Sequence, residues 1–184
     1  MSDTQNPLRL RKKHGSGRAQ EVTPGDARRL IAAQSIRNAI VAGCIVIIIF
    51  CVFWIMLSEL SNRIFPWLTV LLGFLLGHSI RLAGRGTDWR FPSIAAGLAV
   101  AGALIANIVV AASVTAEGFG TGVIEVLRAA TSMTWPVFFD EVLTIADGVY
   151  AAIAASLAAF YANRRLTRSE YYALRLWREE QGRD

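Results

Sequence analysis

The chain has 184 residues, 54% of them hydrophobic, with a formal charge of +5 and a mean hydropathy of +0.42. That composition excludes a disordered polar chain, and two cysteines are too few for a disulfide-stapled scaffold. Apolar runs of about twenty residues recur, which places the chain in the membrane class.

Residues 1–22 are polar and basic, with Arg9, Arg11, Lys12, Lys13 and Arg18 and no apolar period. They read as a disordered cytoplasmic tail. The stretch is too long for a secretory n-region, and no cleavage-site pattern follows the first apolar run. Thr23-Pro-Gly-Asp26 is a helix start, with a capping threonine, a proline suited to the first position and an acid where a capping box needs one. One long helix is expected from there, its first turns in cytoplasm and its span at about 39–57. In that span Cys44 and Cys51 sit about 10 Å apart along the axis, too far to bridge, and read as apolar filler.

The second span is expected at about 64–80, with Pro66 in its first turn and Trp67 at interface depth. Gly73-Phe-Leu-Leu-Gly77 is a spacing that lets helix backbones approach closely. A tight basic turn follows, with Arg81, Arg85 and Arg90. The third span is expected at about 91–113. Its ridge Ala95, Ala99, Ala103, Asn107, Ala111 reads as a helix–helix contact, with Asn107 bonded to a neighbouring helix. Beyond it, Glu117–Gly122 reads as a flexible loop and Val123–Ala130 as a short amphipathic helix on the outer surface.

Thr134-Trp-Pro136 restarts a helix. The fourth span is expected at about 142–161, with Asp147 one turn inside its outer end. Residues 163–184 form a cytoplasmic amphipathic helix. It is opened by a capping box at Thr167-Arg-Ser-Glu170, and Leu166, Tyr171, Leu174 and Trp177 could dock on lipid or on another protein. The expected fold is therefore all-α: a polytopic bundle of four antiparallel transmembrane helices at 23–162, an outer surface helix and a cytoplasmic carboxyl-terminal helix.

Charge sets the orientation. The amino tail, the central turn and the carboxyl tail hold seventeen Lys and Arg residues, and the other side holds only Arg63 and Arg128. By the positive-inside rule both termini are cytoplasmic, as an even number of spans requires. The basic side suits anionic lipid as a partner, and nucleic acid is not expected.

No catalytic or cofactor constellation stands out. His14 and His78 cannot join the outer carboxylates without crossing the bilayer, so no metal site is expected. The serines lack a histidine partner, and Gly84-Arg-Gly86 lacks the phosphate-loop pattern. Asp140, Glu141 and Asp147, with Glu125 nearby, form an outer acidic group. These acids could serve as a general acid and base, coordinate a cation, or simply stand at a solvated helix end, and Arg128 is the expected partner of Asp147.

At Gly77-His-Ser-Ile-Arg-Leu-Ala-Gly-Arg-Gly86 the chain resembles a family of small, uncharacterised bacterial inner-membrane proteins with four spans. Their second span ends in a Gly-x-x-[Ile/Val]-Arg-x-x-Gly-Arg-Gly-like turn, and Phe138-Phe-Asp140 before the last span is also similar. The resemblance covers roughly Trp67 to Arg164. It implies the bacterial inner membrane and carries over no catalytic residues. Some proteins of that look bear an amino-terminal zinc ribbon, for which this chain lacks the cysteines.

Two functions fit the sequence. One is a non-enzymatic membrane subunit or scaffold, in a homo-oligomer or a larger complex, with cytoplasmic partner surfaces. The other is a small oligomeric transporter or channel with Asn107 and Asp147 in its path. A membrane-embedded hydrolase is a distant third.

Overall fold

The computed structural model describes residues 23–61, 63–132, 144–163 and 166–181, and all regular structure among them is helical. Helix α1 spans Pro24–Ala32 and opens on the expected capping box, in which the Asp26 carboxylate accepts from the Thr23 backbone N–H at 3.1 Å. The expected single long helix is interrupted at Ala33–Ser35, and α2 restarts over Ile36–Ser61. Ser35 favours a restart: its hydroxyl accepts from the Asn38 N–H at 3.2 Å, a side-chain bond that competes with continuing the helix. The break is also tied to the central turn, because Ser35 N donates to Gly84 O at 3.0 Å and Gln34 Nε2 donates to Thr87 Oγ1 at 2.8 Å.

Helix α3 spans Leu68–Gly84, four residues later than expected at each end. Pro66 therefore precedes the helix, and its carbonyl accepts from the Thr69 N–H and from the Thr69 hydroxyl at 2.8 Å. Helix α4 spans Arg90–Phe119 and runs through part of the expected loop. It stops only at Gly120, whose left-handed φ of 64° glycine adopts without cost. Helix α5, Val123–Ser132, lies where a short amphipathic helix is expected. Helices α6, Ile145–Ala162, and α7, Arg168–Gln181, complete the described chain.

Helices α2 and α6 each pack against both α3 and α4. Gly43 of α2 lies beside Leu76 and Ile80 of α3 and beside Leu98 of α4, and further along the same helix Ile47 lies beside Gly102. Helix α2 thus runs against α3 and alongside α4. Gly73 faces Ala154 and Gly77 faces Ala158, so α3 and α6 run in the same sense. The core between these helices holds Phe50, Trp54, Leu72, Leu76, Ile80 and Phe91 with a lining of alanines.

By length and composition, three stretches can cross a membrane: Gly25–Ser61 (α1 and α2 across their brief interruption), Arg90–Phe119 and Ile145–Ala162. Their outward faces are apolar: Ile45, Ile48, Ile49, Val52 and Met56 on α2 are all more than half exposed. A face like that is unsuited to water and matches hydrocarbon.

Helix α7 does not wait for an outside partner. It packs on α1, with Ala27, Ala173 and Leu174 buried and Leu166 and Trp177 packed against them. The two ends of the described chain are thereby clasped on the same side of the bundle.

Candidate functional site

Asp147 is the residue on which the two sequence readings divide, and the structure gives it a different partner from the one expected. Helix α6 begins at Ile145, so Asp147 stands in its first turn. Its Oδ2 accepts from the Thr144 backbone N–H at 2.9 Å and from the Thr144 hydroxyl at 2.6 Å, and Asp147 N donates back to Thr144 Oγ1 at 3.4 Å. The acid is held by the cap rather than by Arg128. The physical reason is local: a carboxylate three residues into a helix meets the orphan N–H at the helix start before it can reach another helix. Asp140 and Glu141 lie outside the described residues.

Asn107 is half-buried on α4, and its side-chain amide makes no hydrogen bond among the described residues, where the sequence predicts one. Its ridge neighbours Ala95, Ala99 and Ala103 are buried in the bundle. On α3 the Gly-x-x-x-Gly face meets an alanine face on α6. A Cβ on Gly73 would collide with the backbone of Ala154, and one on Gly77 would stand 2.6 Å from Ala158 O and 2.8 Å from Tyr161 Cβ. His78 stands exposed beside this contact, stacked on Phe74 at 6.2 Å between ring centroids.

A second polar group has no signal in the sequence. It lies at the far end of α2 and α4. Ser113 is buried, and its hydroxyl donates to Glu59 Oε1 at 3.3 Å. Trp54 Nε1 and Ser58 Oγ, one turn apart on α2, are buried without hydrogen-bond partners among the described residues. Only the register between α2 and α4, which spacing along one chain does not reveal, brings Ser58 level with Ser113. An open cavity of about 540 Å³ lies beside it, lined by Phe53, Met56, Leu57, Glu59 and Leu60.

At the opposite end, the central turn, the α1–α2 break and the α1–α7 clasp gather the basic side of the chain. Arg37, Arg81, Arg85 and Arg90 make no ion pair among the described residues, whereas Arg175 pairs with Glu179 at 2.9 Å. That bond raises the Arg175 pKa. The Asp26 pKa is lowered, first by the backbone N–H of Thr23 and then by its hydroxyl.

Among the described residues no three of His, Cys, Asp or Glu come together to hold a metal ion. Scans against protein-family models, curated proteins and solved structures each returned no match.

Proposed function

We propose that the chain is a non-enzymatic subunit or scaffold of the bacterial inner membrane. In this reading α2, α3, α4 and α6 cross the membrane as an antiparallel bundle with both termini cytoplasmic, and the protein works as an oligomer or within a larger complex. The observation that carries it is the state of Asp147. The one intramembrane acid that pointed towards transport is engaged in capping its own helix.

The topology rests on three supports. Basic residues stand seventeen to two across the bundle. Helices α1 and α7, from opposite ends of the described chain, pack together and so share a side. Helix α3 has 17 residues. At about 25 Å it is slightly short of a hydrocarbon core of about 30 Å, a mismatch that local thinning and its flanking Trp67 and Arg81 accommodate. The clasp then presents the cytoplasmic face to partners.

A reporter active only outside the cell, fused after residue 120, should give signal, and fused after residue 86 or 184 it should not. Signal at 86 overturns the topology. For the function, purified protein in liposomes should pass neither protons nor small cations, in wild type and in Asp147→Asn alike. Flux in wild type that vanishes in the variant replaces the scaffold with the alternative, an oligomeric channel or transporter. The unpartnered amide of Asn107 is the observation that favours that alternative.

A further inference from the structure

Arg85 has φ 49° and ψ 24°, and it is the sole non-glycine residue with positive φ among the described residues. It sits at the end of α3, the position that glycine or asparagine ordinarily fills because a Cβ is strained there. Its neighbours fix the turn. A Cβ on Gly84 would stand 2.7 Å from Phe91 Cε1 and 2.9 Å from Ala39 Cβ, and a Cβ on Gly86 would fall within the Phe91 ring. The Ser35–Gly84 and Gln34–Thr87 bonds hold the same turn from the other side. Arg85 is therefore an exposed side chain on a rigid mount, between two buried glycines. Glycine would fit its backbone better, so stability does not account for an arginine here. Strain kept at one residue of a pinned turn points to work done by its side chain.

The chemistry of that work follows from the surroundings. Asp88, three residues on, forms no ion pair with Arg85, and Arg81 and Arg90 flank the turn without carboxylate partners among the described residues. Trp89 beside them is 76% exposed and Leu82 is 63% exposed. Planar guanidinium groups bind phosphate oxygens in pairs, and exposed tryptophan favours the headgroup layer.

We propose that the central turn binds the phosphate of an anionic phospholipid headgroup, with Arg85 as the contact residue and Arg81 and Arg90 beside it. The site rests on the membrane-spanning reading, which puts this turn at the inner surface. It is unrelated to a nucleotide loop, since the turn joins two helices and lacks the required lysine.

The test is native mass spectrometry of the full chain, released from micelles doped equally with phosphatidylglycerol and phosphatidylcholine. Wild type should retain phosphatidylglycerol preferentially. Arg85→Gly and Arg85→Asn both suit the left-handed backbone, so they should melt at or above the wild-type temperature. They should nonetheless lose retention about tenfold, as expected for one lost charge-assisted hydrogen bond. Arg63→Gly, at the other end of the bundle, should retain lipid as wild type does. Equal retention in the Arg85 variants, equal loss in Arg63→Gly, or displacement of the lipid by millimolar inorganic phosphate overturns the proposal. Lipid is counted on released protein, so a reversed topology leaves this result untouched, and failure here leaves the topology intact.

Discussion

Gly73 faces the backbone of Ala154 so closely that no side-chain carbon fits between them. The contact repeats one turn on, at Gly77 and Ala158, and joins α3 to α6. Close backbone approach of this kind replaces the hydrophobic drive that helices lack inside lipid.

Gly73→Ala should therefore lower stability in detergent by roughly 1–3 kcal/mol, because the added methyl must push two helices apart. Gly97→Ala is the internal control. Nothing lies within 4 Å of a Cβ at Gly97, so the same change should be neutral or should stabilise by up to about 1 kcal/mol. Thermal melts of the two variants side by side decide it. Parallel shifts would mean that the α3–α6 contact is looser than the structure has it.

Ala27 makes a second test. It is fully buried against α7 in a cluster of only a few side chains. Ala27→Asp places a charge where nothing can solvate it, a penalty that exceeds what so small a contact supplies. The clasp should open while the bundle keeps its melting temperature. Amide exchange over residues 168–181 should then speed up markedly. Unchanged protection there would show that α7 is held by something other than α1.

The start of α1 should respond to acid. The Thr23 bonds hold the Asp26 pKa below its ordinary 3.8. A depressed pKa contributes stability that is full above the unfolded value and is lost as pH falls through the folded one. The start of α1 should therefore fray below about pH 4 and not between pH 5 and 8. Asp26→Asn, which cannot titrate, should flatten the response when exchange at residues 24–28 is followed against pH.

Much of this architecture could be read along the chain. Apolar runs, capping boxes at Thr23 and Thr167, and the Gly73/Gly77 spacing are local signals, and the helices stand close to where those signals put them. What could not be read was which surfaces meet. Ala27 is a single alanine among arginines, and nothing in its neighbourhood announces that α7 will cover it. Apolar residues on both sides of Asp147 place it inside a span. Thr144, three positions earlier, adds what composition does not show: within that stretch Asp147 caps the start of its own helix. Along the chain Arg85 is only a charge, because its left-handed backbone is set by the turn around it.

The buried serines at the far end of α2 and α4 give the last prediction. Ser58 and Ser113 are both buried and level with each other, yet their hydroxyls differ. Ser113 donates to Glu59, and Ser58 has no partner among the described residues. A satisfied hydrogen bond contributes about 0.5–1.5 kcal/mol, while a buried hydroxyl without a partner keeps its desolvation cost of about 1–3 kcal/mol. Ser113→Ala should therefore destabilise the bundle by about 1 kcal/mol, the worth of one such bond. Ser58→Ala removes a buried polar atom at almost constant volume, and should raise stability by up to about 1 kcal/mol. Trp54→Phe also removes an unpartnered N–H, but it loses ring volume and should cost more than Ser58→Ala. Chemical or thermal unfolding in one detergent would rank the three. If Ser58→Ala instead destabilised as much as Ser113→Ala, the Ser58 hydroxyl would have a partner. An internal water bridging it to Trp54 Nε1 would be the simplest one, since both groups lie on one face of α2 within a turn.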